Sequence, residues 1–178
     1  IYGASTGNHG AAVAYACQML NVPCIIYVPE KSSDAKLANM KSYGAEIRVF
    51  GNDCMDGELK AREVADSKGG VYLSPYNDQE VVNGQGTIGR EIESQCDGLD
   101  AVIVSVGGGG LISGVAGYLK SIWPDIEVVA ASPSNHAVMI RSLNAGKIIK
   151  IDPAPTISDG TAGGVEEGSI TFEMCQQF

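Results

Sequence analysis

Val104-Ser105-Val106-Gly107-Gly108-Gly109-Gly110-Leu111-Ile112-Ser113 decides the fold. Residues 101–106 are the most apolar strand-like run of the chain, and they pass directly into four glycines and a helical pattern over residues 111–121. A short, unbroken apolar run of this kind suits a parallel strand buried on both faces. A strand, a glycine turn and a helix N-terminus together let main-chain N–H groups approach an anion with no Cβ in the way, a geometry suited to phosphate. Four glycines in a row carry a large conformational-entropy cost, so close packing alone is the weaker explanation for them. The spacing also limits the ligand. A dinucleotide fingerprint through Gly108 and Gly110 needs glycine or alanine at 113, which is Ser113, and the next strand ends in Ala130-Ala131-Ser132 without an acidic residue for a ribose. No Gly-Lys-Ser/Thr follows either, so a phosphate smaller than a dinucleotide fits best.

Working outward, strand and helix signals alternate along the chain. Helices are expected over 8–20, from Ser33 or Asp34 through Leu37 and Met40, over 53–68, 79–95, 111–121 and 135–145, and from Thr171 to the end. Strands are expected over 24–28, 46–50, 71–73, 101–106 and 127–131, and residues 147–169 read as an irregular stretch. This alternation predicts an α/β fold with two open, mostly parallel sheets flanked by helices. The loop 74–78 separates two units, 1–73 and 74–178. Gly84 and Gly86 fall inside the expected helix over 79–95, where glycine is costly unless something packs closely against it.

Ser5-Thr6-Gly7-Asn8-His9-Gly10 is a second turn set directly against a helix. The unpaired N–H groups of such a helix start, with the macrodipole behind them, favour a carboxylate or phosphate. Ser5, Thr6 and Asn8 add hydroxyls and an amide that can orient it. The plainer alternative is an ordinary helix capped by Thr6 or Asn8. Two cradles in one chain, one with polar side chains and one of bare glycine, would serve a ligand with a carboxylate end and a phosphate end.

Composition narrows the partners. The chain has 178 residues, 44% hydrophobic and 19% charged, a globular composition whose 23 glycines fall mainly at turns. A formal net charge of −9 with only 12 Lys+Arg argues against nucleic acid and anionic membrane surfaces. Five widely spaced cysteines without a C-x-x-C pair suit a reduced, cytoplasmic compartment, and Cys17 and Cys24 lie in apolar runs as buried thiols. His9 and His136 are the only histidines, so no zinc ligand cluster is expected. His9 reads as a positioning donor rather than a general base, Asp159 as a turn residue, Glu166-Glu167 as a solvated pair, and Trp123 as packing. No segment is apolar for long enough to span a bilayer. A start at Ile1 within a strand pattern and a stop at Phe178 within a helix pattern lead us to expect an internal fragment, truncated at both ends.

Four motifs occur in order: Ser5-Thr6-Gly7-Asn8-His9-Gly10, Asn83-Gly84-Gln85-Gly86-Thr87, Val106 with its four glycines and Leu111, and Thr156-Ile157-Ser158-Asp159-Gly160. Jointly they resemble the pyridoxal-phosphate enzymes of the tryptophan-synthase-β fold type (fold type II), specifically the threonine/serine dehydratase and serine racemase branch. The resemblance covers essentially the whole chain. It implies that Ser5, Thr6, Gly7, Asn8 and His9 bind the substrate carboxylate, and that Asn8 also reaches the cofactor ring oxygen. It further implies that Gly107, Gly108, Gly109, Gly110 and Leu111 bind the pyridoxal 5'-phosphate phosphate, with the main chain of Gly160 along the ring. Residues 1–73 would be part of a small substrate-turn domain and 74–178 part of a large cofactor domain, with the cofactor between them. The implied reaction is deamination of L-threonine or L-serine, by β-elimination of water, to a 2-oxo acid and ammonia, in a homo-oligomeric full-length parent.

Departures from the family pattern qualify these implications. Relatives carry the Schiff-base lysine in a Ser-Phe-Lys-x-Arg-Gly stretch upstream of the turn. No lysine here, including Lys31, Lys36 and Lys41, has that context, so this chain supplies no catalytic lysine and is expected to be inactive alone. Thr6 stands where racemases tend to carry serine and threonine deaminases alanine, which leaves it a candidate acid/base and leaves racemisation, or dehydration of another hydroxy amino acid, open. Ser132 and Val138 occupy the places of the racemase-type metal ligands, so no metal is expected there. A non-catalytic ligand-binding module or pseudo-enzyme is the alternative of another class.

Overall fold

The computed structural model describes residues 1–152 and 154–178. Pro153, inside the expected irregular stretch, lies outside the described residues. The chain divides into two compact units, Ile1–Pro75 and Tyr76–Phe178.

The first unit contains β1 (Tyr2–Ala4), α1 (Asn8–Leu20), β2 (Ile25–Val28), α2 (Asp34–Ser42), β3 (Glu46–Val49), α3 (Cys54–Lys68) and β4 (Tyr72–Leu73). Its four strands are all parallel, in the order β3-β2-β1-β4. Strand periodicity explains how both faces are covered. Ile26 and Val28 point to one side, into a core with Val13, Ala14 and Cys17 of α1 and Met40 of α2. Tyr27 points to the other side, against Ala4 and Ala61 of α3, with Ile25 packed alongside. Helix α1 stops at Asn21, which adopts φ 54°, a left-handed cap that asparagine tolerates better than most residues. Its N–H bonds Gln18 O, and Val22 N–H bonds Cys17 O.

The strand order matters for function. Moving from β1, the chain adds β2 and β3 on one side and returns to add β4 on the other. The carboxyl edge of β1 is therefore the point where the winding reverses, the usual place for a ligand in an open parallel sheet. The Ser5–Asn8 turn starts at that edge.

The second unit contains α4 (Gln79–Gln95), β5 (Ala101–Ser105), α5 (Gly110–Ile122), β6 (Glu127–Ala131), α6 (Val138–Ala145) and α7 (Ile170–Cys175), with a 3-10 turn at Asp159–Thr161. Strands β5 and β6 pair in parallel with Val104 opposite Ala130. One face of this pair carries the core: Val104 and Val106 with Ile112, Val115 and Leu119 of α5, Val138 and Met139 of α6, Tyr76 and Val165. On the opposite face Ile103 is 73% exposed.

Helices α4 and α5 cross at very close range. A Cβ on Gly114 would lie 2.6 Å from Gly86 N, and one on Gly86 would lie 3.3 Å from Gly114 O. Gly86 is thus explained by backbone-to-backbone approach. Gly84 is not, since nothing lies within 4 Å of its Cβ position; Gly89, against Tyr118 at 3.0 Å, supplies the second close contact instead. Helix α6 begins at Val138 rather than at 135, because His136 N–H closes a turn onto Pro133 O and the Asn135 amide reaches Pro155 O.

Candidate functional site

In the first unit, the turn after β1 is shaped by short hydrogen bonds. Ser5 N–H bonds Tyr27 O at 3.2 Å, and the Ser5 hydroxyl accepts from Gly7 N–H at 3.1 Å. The helix then opens with Gly7 as its N-cap, and no side chain caps it. The expectation of a Thr6 or Asn8 cap is therefore corrected: Asn8 is the first helical residue, and Ser5 folds the turn one step earlier. The first main-chain bond of the helix is Ala11 N–H to Gly7 O. Among the described residues, the main-chain N–H groups of Asn8 and Gly10 have no protein partner. The Asn8 side chain is exposed, and Ser5, Thr6, Gly7 and His9 are half-buried.

His9 Nε2 lies 3.2 Å from Leu73 O, an acceptor, so this nitrogen carries the proton and donates. The bond ties the first turn of α1 to the end of β4 across the reversal point of the sheet. Gly10 is required by packing, as a Cβ there would meet Met40 Sδ at 2.6 Å and Ser5 O at 3.0 Å.

In the second unit, Gly107, Gly108, Gly109, Gly110 and Leu111 form the strand-to-helix turn. Gly109 is the N-cap of α5 at φ 88°, a backbone conformation that favours glycine. The first main-chain bond of α5 is Ser113 N–H to Gly109 O at 3.0 Å. Among the described residues, no protein group accepts from the N–H groups of residues 107 to 112. The inner side of the loop is filled. A Cβ on Gly107 would lie 3.1 Å from Thr161 Cα, and one on Gly108 2.8 Å from the Tyr76 ring edge at Cε1. One on Gly109 would lie 2.9 Å from Met139 Cε and 3.1 Å from Thr171 Cβ. The chain is thus pressed against its own core on one side while its donors stay open.

Gly160 sits in the Asp159–Thr161 turn, which Thr161 brings against Gly107. The Ser158 and Thr161 hydroxyls bond at 2.8 Å and fix that turn. Gly160 itself is exposed and has nothing within 4 Å of its Cβ position. Ala162 N–H bonds Asp159 O, in keeping with Asp159 as a turn residue.

Sequence reasoning missed the scaffold beneath this loop. Tyr76 Oη accepts from Glu166 N–H at 2.9 Å. The Asn77 amide donates to Glu166 Oε2 at 2.6 Å and accepts from Ile170 N–H at 3.0 Å. Glu166 is consequently an anchored carboxylate and not half of a solvated pair, while Glu167 is exposed. Thr171 donates to Gly108 O at 2.6 Å. The Ser-x-Thr spacing at 169–171, with both residues facing inward from a short helix, was the available signal. Val138 belongs to the core of the unit, Ser132 follows β6, and among the described residues no group of three His, Cys, Asp or Glu side chains could hold a metal. No described helix is long and apolar enough to cross a membrane.

The electrostatics separate these two helix starts from others. Helices α3 and α4 are capped by Asp53 and Asp78, and each carries an acidic residue in its first turn. Helices α1 and α5 start on glycine with no acidic residue in the first turn. Their positive ends are left uncompensated by the protein.

A family model described as pyridoxal-phosphate dependent enzyme matches residues 1–178. The L-threonine ammonia-lyase of Thermotoga maritima is 35% identical over 178 residues, covering 100% of this chain and 44% of that protein. Among solved structures, the processed form of threonine deaminase isoform 2 from Solanum lycopersicum superposes with a TM-score of 0.89 at 36% identity, covering 98% of this chain and 51% of that one. Maize serine racemase gives 0.89 at 35% identity, with 98% and 52% covered. The chain spans about half the length of the relatives it matches.

Proposed function

The chain belongs to the pyridoxal-phosphate-dependent enzymes, and from that premise we propose that the whole protein deaminates L-threonine or L-serine by β-elimination of water, giving a 2-oxo acid and ammonia. The observation that carries the cofactor side of this proposal is the glycine turn at the start of α5. Its donors are open, its inner side is blocked, and its helix end is uncompensated. These residues fit a phosphate monoester, which presents several acceptor oxygens and needs neither a side-chain cap nor an acidic neighbour.

In this proposal Gly107, Gly108, Gly109, Gly110 and Leu111 hold the phosphate by main-chain donors, and Gly160 lies in the neighbouring turn that Thr161 seats on Gly107. Bound pyridoxal phosphate supplies an electron sink for the pair left at Cα when its proton departs. The Ser5–Asn8 turn supplies orientation. The N–H groups of Asn8 and Gly10 and the α1 dipole attract the substrate carboxylate, and the exposed Asn8 amide is available for a further polar contact. His9 fixes the turn through Leu73 and is spent as a donor at Nε2, which supports a positioning role.

A second reading, racemisation, is favoured by Thr6, whose hydroxyl stands in the turn without a role in capping. Threonine is stiffer than serine at χ1, so its hydroxyl has fewer positions to choose from. The lyase is the stronger reading because the anchoring turn needs no second acid/base to perform it. Supplying the whole protein with L-threonine and L-serine tests the choice. Release of 2-oxobutyrate or pyruvate with ammonia supports the lyase, D-serine as the main product replaces it with the racemase, and neither product with firmly bound cofactor favours a non-catalytic binder.

A further inference from the structure

We infer that Thr171 is the positioning residue of the phosphate turn, acting with Ser169 through the Gly108–Gly109 peptide. The inference rests on the phosphate role proposed for that turn. Thr171 and Ser169 are 0% and 2% exposed, so their hydroxyls must find partners inside the protein. Thr171 Oγ1 lies 2.6 Å from Gly108 O, which can only accept, so the single Thr171 proton is committed there. Ser169 Oγ lies 2.7 Å from Thr171 Oγ1 and must therefore be the donor of that bond. The result is a directed relay, Ser169 to Thr171 to the Gly108 carbonyl.

The Ser169 geometry shows that this relay competes with an ordinary use of serine. Ser169 stands at the N-cap position of α7, yet its hydroxyl makes no cap bond and turns to Thr171 instead.

The relay has two consequences for the turn. A trans peptide plane places its C=O and N–H in opposite directions. With the Gly108 carbonyl drawn inward to Thr171, the Gly109 N–H of the same plane is turned outward, to the side where no protein acceptor lies. A hydrogen bond at the carbonyl also polarises the amide and makes its N–H a stronger donor. Thr171 Cβ additionally backs the position a Gly109 Cβ would take, at 3.1 Å, so the same side chain sets the turn by contact and by bond.

The test uses the whole protein, stripped of cofactor, as wild type, Thr171→Val, Thr171→Ser and Ser169→Ala. Affinities are measured for pyridoxal 5'-phosphate and for pyridoxal, with inorganic phosphate as competitor, and the phosphorus-31 resonance of the bound ester is recorded. Thr171→Val keeps the shape and removes the bond. It is expected to weaken the phosphate ester about tenfold, the size of one charge-assisted hydrogen bond, while leaving pyridoxal unchanged. Thr171→Ser should restore the affinity to within about twofold and return the phosphorus resonance, since it keeps the donor. Ser169→Ala should weaken the ester by about threefold, and it carries the test if Thr171→Val does not fold. Equal losses for ester and pyridoxal, no loss in Thr171→Val, or failure of Thr171→Ser to rescue would overturn the inference while the phosphate role of the turn stands. A wild type that binds ester and pyridoxal alike, with no competition from phosphate, would overturn both together.

Discussion

Helices α4 and α5 lie side by side in the same unit and treat their N-termini in opposite ways. Asp78 closes α4, accepting from Glu80 N–H at 2.8 Å, and Glu80 adds a negative charge to the first turn. Helix α5 begins at Gly109 with neither feature. The contrast teaches how a helix end closed by its own side chains differs from one whose donors stay open, the feature on which the proposed phosphate role rests. The first spends its own side chains on its orphan donors. The second gives them up and secures the loop from behind, with Tyr76, Met139 and Thr171.

Gly108→Ala should break the comparison most severely. Its Cβ would press into the Tyr76 ring, which is 6% exposed and has no room to retreat. Overpacking of this kind costs about 3 kcal/mol, seen as a lower denaturation midpoint, with loss of bound cofactor. Asn8→Ala addresses the other open helix start. The side chain is exposed, so Tm should hold while kcat/KM falls about 30-fold, equivalent to about 2 kcal/mol for a hydrogen bond to a charged or developing charge. Asp78→Ala is the complementary experiment. It should cost about 1 kcal/mol of stability and leave cofactor affinity unchanged, because α4 is closed by its own cap.

The last effect is silent at neutral pH and concerns a buried thiol. Burial, reinforced by the neighbouring Cys17 thiol, pushes the Cys24 thiol up to about 12. Below its ordinary value near 9 the thiol is neutral in folded and unfolded chains alike, so its contribution is fully present. Between about 9 and 12 the unfolded chain ionises first, and stability declines. Denaturant titrations at stepped pH should show this decline in wild type and a shallower slope in Cys24→Ala, whatever the offset between the two curves.

The alternation of apolar strands and helices was legible because each period is written locally, and α1, α4 and β6 match the expected ranges to the residue. The glycine turn was legible for the same reason: a strand, four glycines and a helix are contiguous. Partner groups distant in sequence were not. Nothing local to Gly86 distinguishes it from Gly84; the difference is that Gly114 of α5 approaches only one of them. Glu166 looks solvated until Asn77, 89 positions away, is brought beside it. Thr171 likewise gains its significance only from a carbonyl 63 positions earlier. The missed cap in the Ser5–Asn8 turn has a different origin. Four adjacent residues with capping chemistry competed, and Ser5 accepted from Gly7 N–H, leaving Gly7 rather than Thr6 or Asn8 at the cap.

The bond from His9 to Leu73 has a bearing on the order of folding. Strands β2 and β3 can pair early, because the chain between them is short. Strand β1 meets β4 only when Tyr2 reaches Tyr72, and the His9 tether closes over 64 positions. The entropy of closing so long a loop places this junction among the last to form. The Ser5–Asn8 turn is mounted on that junction, so a ligand held there, as proposed, would engage only chains whose first unit is already complete.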